Sequence, residues 1–307
     1  MTRASSFPLA LPLAFVSSLV LALPAAQAQE AASLSQMDLL SREIGLGIGH
    51  SALDAQQPGA FTSGYAAGGS TNPDDAQGSD YNTRGAVLGY GFGSGLSAFM
   101  GYAQGTSEVD GDLGEARIRS YFLGAGYAGA AHGVDYAAAL YMGRTHNKLS
   151  SPSSVSGSTD HNGRLLGLSL RGATMLKQGE APGTGIDLVV SGDVLRHATG
   201  NYTLHHIDAE VENRVTYATS MRLEMGAPMR AKGGLLRPYA AYVVNGGDQP
   251  DLDFAAGGSL GATDLLSEDQ LAIGLGFEGG SGFGTRIEAA SDFDGTEALS
   301  ARLTYRF

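Results

Sequence analysis

From residue 43 to the C-terminus, apolar and polar side chains alternate with a period of two, in segments of about ten residues. The last segment states the pattern most plainly. Leu299, Ala301, Leu303, Tyr305 and Phe307 share one parity, while Ser300, Arg302, Thr304 and Arg306 share the other. Successive side chains of a strand point to opposite faces, so this segment predicts a strand with one greasy and one charged face. Such a strand, ending on an aromatic residue, suits the wall of a closed barrel in which one parity meets lipid and the other a polar lumen. The same grammar predicts about twelve strands, at residues 43–50, 83–92, 96–104, 117–128, 134–145, 164–174, 186–196, 214–225, 236–245, 269–279, 283–291 and 298–307. An even number is what a single-chain bacterial barrel requires.

The connections add an independent signal. Short turns at residues 93–95, 129–133 and 280–282, and somewhat longer ones at 177–185 and 226–235, alternate with polar connections at 51–82, 105–116, 146–163, 197–213 and 246–268. Residues 292–297 form the one short member of the second set. Short periplasmic turns and long outer loops, with both termini inside, produce that alternation; a soluble β-sandwich gives no reason for it. The predicted fold class is all-β: a transmembrane, antiparallel, up-and-down barrel of about twelve strands.

Parity then assigns faces. Leu88, Tyr90, Met100, Tyr102, Leu123, Leu140, Leu168, Val190, Met221 and Leu275 fall on the lipid side. The opposite parity carries Asp135, Arg171, Asp187, Asp193, Arg222, Glu224, Glu278, Arg286, Glu288 and Arg302, with Arg306 beside them. Two readings of these charges stay open. They could pair across the lumen and stiffen the barrel, or they could line a conduit whose transverse field orients a solute or a chain in transit. Glycines such as Gly85, Gly89, Gly124 and Gly167 share the lumen parity and are expected to keep the interior open.

The first residues change the picture from fold to address. Met1-Thr2-Arg3 is positive, an apolar run extends from Phe7 to Leu23, and Ala26-Gln27-Ala28 has the small-x-small form of a cleavage site. Residues 1–28 therefore read as a secretory signal peptide cut after Ala28. The chain has no cysteine, which leaves neither a disulfide framework nor thiolate chemistry. It holds 31 acidic against 19 basic residues, so no basic stripe awaits nucleic acid. Candidate catalytic residues (His146, His161, His197, His205 and His206, with Asp160 and Asp208) fall in expected outer loops, and no G-x-S-x-G elbow is present. Asp110-Gly111-Asp112 lacks the full calcium-loop pattern. No enzyme activity, cofactor or metal is expected.

The stretch from residue 81 to 307, and more loosely from 43, resembles the autotransporter β-domain, the C-terminal barrel of type V secretion proteins in Gram-negative bacteria. Residues 84–92 (Arg-Gly-Ala-Val-Leu-Gly-Tyr-Gly-Phe), 96–102 (Leu-Ser-Ala-Phe-Met-Gly-Tyr) and 121–127 (Tyr-Phe-Leu-Gly-Ala-Gly-Tyr), with the closing Leu303-Thr304-Tyr305-Arg306-Phe307, carry the resemblance. It implies a twelve-stranded barrel in the outer membrane and contact with its lipids. It also implies periplasmic chaperones and insertion by the barrel-assembly machinery, with Leu303, Tyr305 and Phe307 as the assembly signal. A monomer is expected. The family further implies an N-terminal passenger and a helical linker in the pore. Here only residues 29–42 separate the cleavage site from the expected barrel at 43–307, too few for a folded passenger. They read as a linker or a possible pore helix. The expected function is a translocator-type or transport-type barrel without a folded passenger. The alternatives are a passive channel for small solutes and a surface-exposed structural or adhesive barrel acting through its long outer loops.

Overall fold

The computed structural model describes residues 35–307 apart from 55–57, 72–77, 110–113, 151–157, 182, 205–208, 249–250, 254–258, 262–268 and 294. Residues 1–28, with the cleavage motif at Ala26 and Ala28, lie outside the described residues, as do 29–34. Twelve long strands form the wall: β1 (Gly59–Thr71), β2 (Ser79–Gly91), β3 (Leu96–Val109), β4 (Glu115–Ala131), β5 (Val134–Ser150), β6 (Ser158–Gln178), β7 (Gly185–Thr199), β8 (Arg214–Gly226), β9 (Gly234–Gly247), β10 (Asp269–Gly279), β11 (Phe283–Ser291) and β12 (Glu297–Arg306). Each pairs antiparallel with its neighbours in sequence, and β1 closes the ring on β12, from Phe61 opposite Arg306 to Ser70 opposite Glu297. Closure leaves no edge strand to template aggregation. Short strands decorate the connections: Met229–Ala231 pairs with the start of β9, and Tyr202–Leu204 pairs with Ala209–Val211.

Local chemistry explains the turns. His132 and Gly133 join β4 to β5 with φ of 53° and 79°, the two positive values that a tight hairpin of matching twist needs. At the other end the strands run on. β5 and β6 have 17 and 21 residues, against about 9–11 for a spanning strand. Much of the expected outer loops at 105–116, 146–163 and 197–213 is therefore strand that continues past the apolar band.

One expected strand is a helix. Residues 43–50 lie in the middle of α1, which occupies 35–54. Residues 51–82, expected to be a long loop, hold the end of α1, all of β1 and the start of β2. The wall begins at Gly59, not at residue 43. The cause is the run Ile44-Gly45-Leu46-Gly47-Ile48-Gly49, whose period-two alternation imitates a strand. Its glycines serve close approach instead. A Cβ on Gly45 would stand 2.6 Å from Leu195 Cδ1, and those on Gly47 and Gly49 would collide with Tyr65 and Ser169. Each glycine costs a helix about 1 kcal/mol relative to alanine, which this packing must offset. The strand that replaces the misread one, β1, hides because its outward parity (Ala60, Thr62, Gly64, Ala66, Gly68) is small and carries no lipid signal. Its large residues, Phe61 and Tyr65, point inward and are buried.

The lumen glycines do not keep the interior open. An aromatic ring lies over many of them, from the residue directly opposite on the next strand: Phe61 over Gly89, Tyr65 over Gly85, Phe99 over Gly124, Phe122 over Gly101, Tyr141 over Gly167 and Tyr239 over Gly274. The missing Cβ lets a large ring lie flat on the wall, so these positions fill the lumen.

Candidate functional site in the barrel lumen

α1 runs inside the barrel, and its direction follows from its partners. Near its N-terminal end, Gln36 Nε2 donates to Ser79 Oγ at 3.0 Å, and Asp38 pairs with Arg214. Ser79 opens β2 and Arg214 opens β8, both at the mouth that carries the longer connections. Midway, the Tyr65 and Tyr141 hydroxyls donate to the Ile44 and Gly45 carbonyls at 3.3 and 2.7 Å. Lower down, His50 Nε2 lies 3.1 Å from Asp193 Oδ2, and Ser169 donates to the same carboxylate. At the far end three arginines gather. Arg171 pairs with the Asp54 carboxylate and donates to the Leu53 carbonyl at 2.8 Å; Arg302 pairs with Asp54 at 3.0 Å; Arg306 donates to the Asp54 carbonyl at 2.7 Å. The last carbonyls of a helix have no internal partner and form the negative end of its dipole, so cationic donors there cap it twice over. That end shares the short-turn mouth with Phe307.

A second cluster lies on β7–β9 and β11. Glu224, 1% exposed, pairs with Arg222, Arg237 and Arg286. Glu288 pairs with Arg222 and Arg286 and accepts from the Tyr239 hydroxyl at 2.8 Å. Arg237 holds Asp187 through two bonds of 2.7 Å, a bidentate fork. The Arg286 guanidinium lies 4.0 Å from the centroid of the Tyr239 ring, a cation–π distance. Burying one such charge alone would cost several kcal/mol, and the mutual pairing offsets this.

Between α1 and this wall lies a gap of about 130 Å³ of mixed lining, with His50, Ser220, Arg222, Glu288 and Arg302 among its polar residues and Leu46 and Val243 among its apolar ones. A vestibule of about 920 Å³ occupies the short-turn mouth, with Asp54, Arg171, Asp187 and Arg306 on its lining. Asp135 lines the vestibule too and makes no ion pair among the described residues. Glu278 pairs, among the described residues, with Arg306 alone, at 3.1 Å. Of the ten sequence-derived charges, eight thus fall into the two clusters. Six partners escape the parity reading: Asp38, His50 and Asp54, because α1 is hidden, Arg214, at the very start of its strand, and Arg237 and Tyr239, because Leu235-Leu236 ahead of them blurs the alternation. The residues expected in outer loops behave differently: His161 and His197 are buried under the outer mouth, and His161 stacks on Tyr202 with centroids 4.2 Å apart. His205, His206 and Asp208 lie outside the described residues.

The outer surface is apolar. Leu88, Met100, Tyr121, Leu140, Leu168, Met221, Ile273 and Leu299, from eight different strands, are all more than a third exposed, Tyr121 by 69%. A continuous band of that size on a soluble protein would drive association; around a closed barrel it matches lipid. No helix among the described residues is long and apolar enough to cross a membrane.

These features define a class: a closed twelve-stranded barrel with a lipid-facing belt and a helix in its lumen. Within that class, the fold is that of autotransporter translocator domains. It is similar to the translocator domain of the autotransporter NalP from Neisseria meningitidis, with a TM-score of 0.63 and 16% identity over 89% of this chain and 96% of that one. The β-domain of the Bordetella autotransporter BrkA gives 0.56 at 16% identity, over 81% and 100%. The transport unit of the autotransporter AIDA-I from Escherichia coli gives 0.56 at 13%, over 82% and 91%. No protein-family model and no curated protein matches the chain.

Proposed function

We propose that this chain is a non-enzymatic outer-membrane barrel of the autotransporter translocator type, whose lumen is closed by its own helix threaded toward the cell exterior. One observation carries the reading: α1 enters at the mouth of long connections and ends at the mouth of short turns, beside the C-terminus. A chain lying N-terminal in the lumen with its start at the outer mouth is what remains when a segment has passed outward through the barrel. The occupied lumen does not favour an open solute channel at rest. On this reading residues 1–28 are a signal peptide, and Leu303, Tyr305 and Phe307 form the aromatic strand that the assembly machinery engages. Leu303 and Phe307 are well exposed on the lipid side, where such an encounter needs them.

The test uses the absence of cysteine from the sequence. A single cysteine introduced ahead of residue 35 is exposed to a membrane-impermeant maleimide on intact cells. Labelling equal to that of a cysteine in the outer β7–β8 connection supports outward threading. Labelling that requires a permeabilised outer membrane overturns it. Heat-modifiable gel mobility of the same protein reports whether the barrel is closed.

A further inference from the structure

On five strands the outward parity changes from apolar to arginine at the first position above the apolar run: Arg84 on β2, Arg119 on β4, Arg144 on β5, Arg164 on β6 and Arg196 on β7. Gln104 fills the same place on β3, opposite both Arg84 and Arg119. The step from Arg119 to Arg144 to Arg196 descends the register rows in the same sense as the short turns do. A level plane crossing tilted strands requires that descent. Arg84, Gln104 and Arg119 share one register row and Arg144 and Arg164 share the next, so the arginines follow the outer edge of the lipid-facing band from strand to strand. The Tyr102 and Tyr121 rings, 5.0 Å apart, stand just below, where aromatic side chains mark a headgroup layer.

This arc is not neutralised by acidic neighbours. Among the described residues, Arg119, Arg144, Arg164 and Arg196 make no ion pair, whereas Arg117, one step farther out, is bonded to Glu115. Lys148 has the carboxylate-bearing Asp160 as its register partner on β6. Arg144 and Arg164 are directly opposite each other, an arrangement of like charges that destabilises a sheet. β1 and β8–β12 carry no outward Arg or Lys above their apolar runs; Asp269 and Glu297 stand there instead. A chain with a net charge of −12 has thus gathered unpaired guanidinium groups on one side of the barrel, along the outer edge of its apolar band.

We propose that this arc binds the phosphate groups of anionic lipids in the outer leaflet. The inference rests on the outer-membrane reading above. Guanidinium groups present paired N–H donors to phosphate oxygens and are weakly hydrated, so they suit that layer. Each stands directly over an apolar run, so a lipid phosphate on the arginine places its acyl chains along Leu88, Leu123, Leu140 or Leu166. The bare side, β8–β12, makes the contact one-sided and selects a particular face of the barrel for such lipids.

Native mass spectrometry of the detergent-solubilised mature chain, offered equal amounts of bisphosphorylated lipid A and its dephosphorylated form, tests the proposal. The unaltered protein retains the phosphorylated form in preference. The triple variant Arg119→Gln, Arg144→Gln, Arg164→Gln loses that preference by about fivefold per arginine, on the order of a hundredfold in all. Arg144→Gln and Arg164→Gln tested singly give the smaller step should the triple variant fold poorly, and heat-modifiable mobility checks folding in each. Glu297→Gln on the bare side leaves the preference unchanged. Equal retention of the two lipids, or a preference that survives the triple substitution, overturns the proposal. So does full displacement by millimolar inorganic phosphate, which would assign the arc to a soluble anion. A mature chain that dissolves as a compact monomer without detergent would overturn the outer-membrane reading itself, a separate failure.

Discussion

The two halves of the lumen wall solve the same problem by opposite means. The inner face of β1–β7 carries the apolar packing: every buried wall residue of the apolar cluster around α1, from Phe61 and Tyr65 to Leu165 and Leu195, comes from these strands, with Arg171 and Asp193 set among them as anchors for the helix. The inner face of β8–β12 is ionic, with Arg222, Glu224, Arg237, Arg286 and Glu288 bonded to one another. The helix thus packs its apolar side on one wall and leaves a gap of about 130 Å³ along the other. A wall that packs against a partner needs small and apolar residues, while a wall facing a gap needs charges that satisfy each other. The lumen is filled by packed apolar side chains against about half of its circumference and lined by mutually bonded charges around the rest.

The largest effect should come from removing the partner of the apolar wall. Deleting residues 35–54 takes away a cylinder about 10 Å across. Planar-bilayer recording is expected to change from a closed baseline to steady open conductance. A deleted barrel that stays silent would mean that the ionic wall, not α1, closes the lumen. The next largest effect falls on that ionic wall. Glu224→Gln leaves Arg237 and Arg286 short of a carboxylate in a site 1% exposed, which should cost about 3–5 kcal/mol. The midpoint of urea unfolding in detergent measures it. Conductance should hardly move, because the anchors of α1 lie elsewhere. A third test sets the walls side by side. Gly49→Leu forces a side chain of α1 into Ser169 on β6 and should cost about 1–3 kcal/mol, with flickering conductance as the helix shifts. Val243→Leu extends into the gap from β9 and should stay within about 0.5 kcal/mol. Equal losses from the two would erase the distinction between the walls.

Parity alone made β2–β12 legible, because each alternates a lipid-facing apolar series with polar or glycine positions. It failed where the physical cause of alternation differs. Glycines at 45, 47 and 49 alternate to let a helix approach rings and side chains on the wall, and β1 lacks alternation because its outward residues are small. Most charges of the lumen wall were readable one by one, as charged members of the inward parity, with Arg214 and Arg237 missed. Their grouping was not, because which of them meet depends on strand tilt and register, and half of the partners at the helix end sit on α1. Nor does a strand pattern say that an inward glycine holds a ring from the strand beside it, as Gly167 holds Tyr141. That requires the cross-strand register, which residue order does not contain.

The smallest effect sharpens the comparison most, because it separates two ends of one ion pair. Glu278 and Arg306 are 3.1 Å apart, but the glutamate is 58% exposed and the arginine 21%. An exposed pair in water contributes about 0–1 kcal/mol, so Glu278→Gln should leave the unfolding midpoint almost where it was. Arg306 does more than pair with Glu278, since its Nη2 also donates to the Asp54 carbonyl at 2.7 Å, at the end of α1. Arg306→Gln should therefore cost about 1–2 kcal/mol more than its partner's substitution, through the lost cap. It should also raise the frequency of brief openings in bilayer recordings, which Glu278→Gln does not. Were the two variants to behave alike, the last turn of α1 would be held by Arg171 and Arg302 alone, and the C-terminal strand would have no part in keeping the lumen shut.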